Sequence, residues 1–366
     1  MCAARLVALL QFTFINFSYS QLTALPSGGN KKASVSERIG ITDVTIDYSR
    51  PGVKGREGQI WGKLIPVGYT DQGFGNSKQA PWRAGANENT VISFSDDVKI
   101  DGHDLPAGKY GFFIAYDPNE CTLIFSKNSS SWGSFYYDSK EDVLQVKVKP
   151  VTSDKSVERL KYEFTDQTDN SAVVDLQWEK LIIPFKIETD YAKLQVESFR
   201  KELRGDKGSN WEAWDFAAQW CVQHNTNLDQ GLMWSDTAVS FSGGTVFQPL
   251  STKASVLDKL NRGLEAADAM KKGLPFATMT EVHLYGKSLL AQKKTKEAFD
   301  VFKMNADKYP NVFTTNVGLA RGYSGIGNYK KSLEYLLKAQ PQAPDQLNKG
   351  NIDKLIKLAQ DGKDIN

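Results

Sequence analysis

Hydrophobic spacing changes period once along this chain, near residue 190, and that change limits the fold more than any motif does. From Ile41 the pattern repeats every second position: Thr42, Val44, Ile46 and Tyr48 share one face, and Asp43, Thr45 and Asp47 the other. The alternation returns at Tyr110/Phe112/Ile114/Tyr116, Leu144/Val146/Val148, Leu160/Tyr162/Phe164, Val174/Leu176/Trp178 and Leu181/Ile183/Phe185/Ile187, with shorter versions at Ile92/Phe94 and Leu123/Phe125. Turn residues separate these runs at Asp101-Gly102, Asp117-Pro118-Asn119 and Asp166 to Ser171. About eight or nine short strands, each with one apolar face, must close on a shared core. The expected fold of residues 37–190 is an antiparallel β-sandwich or partly open barrel. Pro184 has no backbone donor, which places its strand at an edge.

Beyond residue 190 the spacing is helical. Ala192 to Arg204 is amphipathic, and Trp211 to His224 forms a second helix after Gly208 and Ser209. A repeat follows. Gly286, Ala298, Phe302 and Pro310 are matched 34 residues later by Ala320, Ser332, Leu336 and Pro344, with Tyr323 at the bulky position of the first helix. Ala254, Ala266 and Met270 make a looser copy upstream, and Leu228 to Ala238 closes a more degenerate one with the helix before it. This spacing resembles the tetratricopeptide repeat, in which a small residue lets two helices approach, a bulky one fills the groove, and Pro ends the unit. Phe241 to Leu250 reads as a polar loop interrupting the array. The fold class is therefore multidomain, β followed by α, with residues 191–366 a tetratricopeptide-like helical array.

The beginning of the chain differs from both parts. Arg5 is its one charge before an apolar run from Leu6 to Phe17, and Ser18 and Ser20 stand at the −3 and −1 positions of a cleavage site. Residues 1–20 read as a signal peptide and residues 21–36 as a flexible leader, so the protein is expected to be exported, to the periplasm or the extracellular space. No later segment is apolar enough for a transmembrane span. The net charge is +2, and the lysines of the mildly basic helical half are dispersed, which argues against nucleic acid as a partner. Cys121 and Cys221 fall in different domains and read as buried free thiols. No zinc-ligand spacing or cofactor motif appears, so neither a metal nor a cofactor is expected.

Several polar and aromatic motifs recur in the loops of the β half: Ser49-Arg50-Pro51, Gly55-Arg56, Ile60-Trp61-Gly62-Lys63-Leu64, Trp82-Arg83-Ala84-Gly85-Ala86-Asn87-Glu88, Leu105-Pro106-Ala107-Gly108-Lys109-Tyr110 and Trp132-Gly133-Ser134-Phe135-Tyr136-Tyr137. In this order they closely resemble the bacterial exported family catalogued as domain of unknown function 2911, over roughly residues 35–190. The resemblance implies export and a β-rich domain. It implies no activity and supplies no catalytic residues.

The motif residues must then be read by their chemistry. Arg50, Arg56, Arg83 and Lys109 supply cations, Glu88 an acceptor, Asn87 an amide, and Trp61, Trp82 and Trp132 flat faces. If their loops converge, they form a cationic, aromatic-lined pocket for a sugar-like or anionic small molecule or glycan. If they do not, the same groups pin long loops through backbone hydrogen bonds. The three mature histidines, His103, His224 and His283, are isolated, and no metalloprotease or serine-hydrolase motif is present. Asp96 and Asp97, adjacent on a strand, would point to opposite faces and could not flank one bond. The expected role is a non-catalytic binding module, with the helical array engaging a protein partner. A hydrolase or isomerase built around Glu88, and a purely structural envelope protein, are the alternatives.

Overall fold

The computed structural model describes residues 29–366. The expected signal peptide and the first half of the leader, residues 21–28, lie outside them. The chain divides at Tyr191 into two compact units, each with its own core.

The first unit holds ten strands: β1 (Lys31–Ile39), β2 (Thr42–Arg50), β3 (Thr90–Phe94), β4 (Val98–Ile100), β5 (His103–Leu105), β6 (Gly108–Ala115), β7 (Cys121–Ser126), β8 (Asp142–Val148), β9 (Val151–Thr165) and β10 (Ser171–Thr189). They form a six-stranded sheet in the order β1-β2-β3-β6-β7-β8 and a four-stranded sheet in the order β5-β4-β10-β9. Every pairing is antiparallel. One core joins the two sheets, with Ile46, Ile92, Phe112 and Phe125 from the first meeting Leu176, Trp178, Ile183 and Phe185 from the second. Full burial of such side chains contributes about 1.5–3 kcal/mol each.

Four local expectations change. Residues 31–36, expected in the leader, belong to β1, which zips residue by residue onto β2. Its mostly exposed, charged surface is the composition of an edge strand and mimics a linker in sequence. Pro184 does not mark an edge, because β10 lies between β4 and β9. The β9 pairing ends at Ile182 and the β4 pairing starts at Ile187, so Pro184 sits where no ladder bond is required of it. The two runs read as separate strands, 174–178 and 181–187, are one strand bulged at Glu179 (φ 52°). The bulge flips the buried face from even residues (Val174, Leu176, Trp178) to odd ones (Ile183, Phe185, Ile187). Asp96 and Asp97 lie in the β3–β4 turn, where Asp97 accepts from the Ala107 amide at 2.8 Å.

The second unit consists of α1 (Tyr191–Glu202), α2 (Trp211–Gln223), α3 (Leu228–Phe241), α4 (Phe247–Lys259), α5 (Gly263–Gly273), α6 (Met279–Ala291), α7 (Thr295–Lys308), α8 (Phe313–Gly325), α9 (Tyr329–Ala339) and α10 (Gln346–Gln360). Helices α2/α3, α4/α5, α6/α7 and α8/α9 pair as hairpins. The reason is visible at Gly286, where a Cβ would come 2.5 Å from the Phe302 ring, so the helices can approach only without one. Asn261, Lys293 and Gly327 all take positive φ in the hairpin turns, ending the first helix the same way in three successive repeats. The expected loop from Phe241 to Leu250 shrinks to residues 242–246. Phe247 and Leu250 are buried in α4, and Pro249 is tolerated in its first turn, where no intrahelical donor is needed.

Candidate functional site

Between β2 and β3 the chain runs through residues 51–89 without regular secondary structure, yet its backbone is not idle. Trp82 exchanges two backbone hydrogen bonds with Ile114 of β6, extending the sheet past the end of β3. Gly68 donates to Tyr116, and Thr70 and Ala80 bond each other. These bridges fold the connection into a lobe beside β6.

Within the lobe, the turn from Trp82 to Glu88 is held by buried polar contacts. The Ala84 carbonyl accepts from Thr90 Oγ1 at 3.0 Å and from the Tyr162 hydroxyl at 2.7 Å. That fixes Ala84 at φ 49°, a conformation an alanine does not choose unaided. The Trp82 indole donates to the Gly85 carbonyl and meets Trp61 edge-on at 5.5 Å. Arg83 donates to the Asn87 carbonyl at 2.8 Å and lies 5.1 Å over the Phe135 ring. A Cβ on Gly133 would strike that guanidinium, so glycine is what lets the 133–135 loop close against it. Partial burial pulls the Arg83 pKa down from its ordinary value.

These walls enclose a cavity of about 470 Å³, lined on its apolar side by Leu64, Pro66, Trp82 and Trp178 and on its polar side by Asp71, Gln72, Arg83, Asn87 and Ser134. Gln72 donates to Ser134 at 2.8 Å. Asp71 accepts from the Gly73 amide and pairs with Lys78 at 3.2 Å, and these two contacts hold its carboxyl below the usual range. The lining brings together two indoles, one arginine and a few amide and hydroxyl groups, which suits holding a polar molecule. No histidine or cysteine lines it.

Of the nine sequence candidates, Trp82, Arg83 and Asn87 line this cavity and the other six do not. Arg50 donates to the Leu160 carbonyl at 2.8 Å, and Arg56 to the carbonyls of Gly52 and Val53; both tie down the backbone. Trp61 donates to the Trp178 carbonyl inside the core. Glu88 turns into a separate groove shared with Asp47 and pairs with Lys32 at 2.9 Å. Burial opposes its charge, but Lys32, the Glu88 backbone amide and the Ser49 hydroxyl together keep the carboxyl below its usual pKa. That is the reverse of what a general acid needs. Lys109 is exposed on β6, and Trp132 is 50 % exposed outside the cavity wall. Asp71, Gln72, Ser134 and Trp178 also line the cavity and are not among the sequence candidates. A signal for the first two existed in Gly68, Gly73 and Gly75, all at positive φ, which mark residues 68–75 as a shaped loop. Trp178 looked like an ordinary core residue.

Cys121 and Cys221, the two cysteines among the described residues, are buried free thiols, each raised by burial to about 11. His103 is exposed against the Asp101 carbonyl. Among the described residues no cluster of His, Cys, Asp and Glu could hold a metal, and no helix is long and apolar enough to cross a membrane. In the helical unit, α4, α5, α6 and the start of α7 line a second cavity of about 350 Å³, where Ser255, Asp258, Leu284, Tyr285 and Glu297 meet.

Residues 30–187 match the family model described as "Protein of unknown function (DUF2911)". Among solved structures, the chain is similar to YrrB, "a TPR protein with an unusual peptide-binding site", at 14% identity and TM-score 0.31, covering 46% of this chain and 87% of that one. It is similar also to MamA from Desulfovibrio magneticus RS-1 at 19% identity and TM-score 0.30, covering 43% and 92%. Pseudomonas aeruginosa pilF gives 16% identity and TM-score 0.31, covering 44% and 77%. No curated protein matches the chain.

Proposed function

We propose that this is an exported binding protein whose β unit holds a sugar-like or anionic small molecule and whose helical unit engages a protein partner. The cavity beside Trp82 carries the first half of the reading. Its lining combines two indoles, a surface type on which sugar rings pack, with Arg83, whose guanidinium matches a carboxylate. Sugars that carry a carboxylate use both features. Export is supported by the composition of residues 1–20.

A thermal-shift screen against neutral sugars, uronic acids and organic acids tests the ligand. A true ligand at a hundredfold excess over its Kd stabilises the protein by about 2.7 kcal/mol. The shift should vanish in Gln72→Ala and Arg83→Ala; Gln72 keeps the test independent of the turn that Arg83 also pins. A flat response across the panel refutes the ligand reading. It would favour the structural alternative, in which the lobe is only a pinned connection, as Arg50 and Arg56 are already used.

The partner reading is supported by the stacked hairpins and by the second cavity, where Leu284 is 56% exposed. A photo-reactive residue at Ser255 should give a discrete heavier adduct in cells, lost in Asp258→Lys. No adduct refutes this half.

A further inference from the structure

Thr70 and Ala80 close a loop between them, and that loop is clasped to the segment 133–137. Ser77 donates its amide to the Phe135 carbonyl at 3.1 Å, and Gln72 reaches Ser134 at 2.8 Å. Gly75 makes the clasp possible: its φ is 78°, and a Cβ there would strike the Phe135 carbonyl. Phe74 meets Phe135 edge-on at 5.3 Å and Tyr136 at 6.3 Å, yet Phe74 stays 63% and Tyr136 54% exposed. The clasp thus presents two touching rings outward, a surface that a ligand can cover.

The same two segments line a second hollow. Thr70, Asp71, Gln72 and Ser134 face the cavity beside Trp82, whereas Tyr69, Lys78, Gln79, Tyr137, Asp138 and Gln145 line a groove of about 570 Å³. The Asp71–Lys78 ion pair, 3.2 Å long, joins a residue of the first to a residue of the second, so the two hollows adjoin. Their chemistry differs. The first combines Arg83 with indoles. The second offers phenols, amides and an acid, and its cation, Lys78, is engaged by Asp71. Tyr137 donates to Asp142 Oδ2 at 2.6 Å and Gln145 to the same oxygen at 2.7 Å, which fixes both side chains. Carboxylates at Asp138 and Asp142 make this end a poor place for another negative charge and a good one for hydroxyl donors.

We propose that the β unit takes a short acidic oligosaccharide and not a single sugar. A uronic acid at one end lies in the cavity with its carboxylate toward Arg83. A neutral sugar occupies the groove among Tyr69, Gln79 and Gln145, and the glycan between them crosses the clasp against Phe74 and Tyr136. This rests on the reading of the Trp82 cavity as a site for a carboxylate-bearing sugar and names the rest of the ligand. Each hollow has the volume of an ordinary small-molecule site, and rings with hydroxyl edges suit a path of aromatic faces and amides in succession.

Titration calorimetry on the intact protein uses three kinds of probe: glucuronic and galacturonic acid, linear disaccharides to tetrasaccharides with one of these acids at an end, and the same oligosaccharides with that carboxyl reduced. The best oligosaccharide should bind about tenfold more tightly than its uronic acid alone, the gain of one or two hydrogen bonds in the groove. Carboxyl reduction and Arg83→Ala should each weaken it by about tenfold. Tyr69→Ala, Gln79→Ala and Phe74→Ala should each reduce the oligosaccharide's advantage and leave the affinity for the uronic acid unchanged, since none of the three lines the first cavity. Retained circular dichroism of the strands shows that each variant is folded. Uronic acid binding with no gain for any oligosaccharide overturns the two-hollow ligand and leaves the single-cavity reading standing, whereas a panel in which nothing binds refutes both. An oligosaccharide advantage untouched by all three variants rules out the path over the clasp. An oligomer with a carboxyl on every sugar should bind more weakly than the single-acid one; equal or tighter binding overturns the assigned polarity.

Discussion

The β2–β3 lobe and the helical hairpins both hold chain segments in place, but with different chemistry. In the lobe, side chains donate to backbone carbonyls: Arg50 to Leu160, Arg56 to Gly52 and Val53, Arg83 to Asn87, and Tyr162 to Ala84. In the hairpins, shape does the holding, as Phe302 is seated against Gly286 and Gly318 at distances no Cβ would allow. A segment without a ladder of its own must borrow acceptors and donors from side chains, each net worth about 1 kcal/mol. A helix has satisfied its own backbone and is left with packing, where one ring is worth several times more.

The comparison predicts unequal damage. Phe302→Ala should cost the helical unit about 3–5 kcal/mol in a denaturant titration, read by helical circular dichroism. Hydrogen-exchange protection of the β-unit strands should be spared; a joint collapse would show that the units do not unfold separately. Acid should come next. His283 has a folded pKa of about 4 against an ordinary 6.5. The unfolded chain therefore takes up a proton first as pH falls through 6.5. The stability present above 6.5 is lost down to about pH 4, by up to roughly 3 kcal/mol. His283→Asn should flatten that dependence. Gly286→Ala should cost about 1–3 kcal/mol by overpacking the Phe302 ring. A neutral result would mean the hairpin can open, and would weaken the contrast. The smallest effect belongs to the lobe: Tyr162→Phe should cost about 1 kcal/mol, since Thr90 still bonds the Ala84 carbonyl. It should nevertheless reduce any ligand-induced shift, because that bond positions the turn carrying Trp82 and Arg83.

The strands and hairpins were legible because periodicity is local. Val44, Ile46 and Tyr48 announce a buried face whatever they pack against, and the 34-residue spacing from Gly286 to Ala320 reports a repeated fit between neighbouring helices. Residues 31–36 were misread because an edge strand and a linker share a polar composition. Pro184 was misread because a ladder bond can be missing inside a sheet wherever one neighbour ends before the next begins.

The site was only partly legible, for a different reason. The residue types at Trp82, Arg83 and Asn87 marked a loop with unusual chemistry. Whether a cation such as Arg56 serves its own turn or a ligand depends on where carbonyls distant in sequence come to rest. Glu88 faces Lys32 and not the cavity because β1 zips onto β2, and Trp178, a core residue of β10, reaches the cavity because Trp82 of the lobe stacks against it. By itself the sequence determined two units, their strands and helices, and the order of their motifs, since each of these follows from spacing along the chain. Only the tertiary structure decided which polar groups converge. Convergence depends on register, bulges and the close approach permitted by Gly133, Gly286 and Gly318, and none of these is a property of a short stretch of residues.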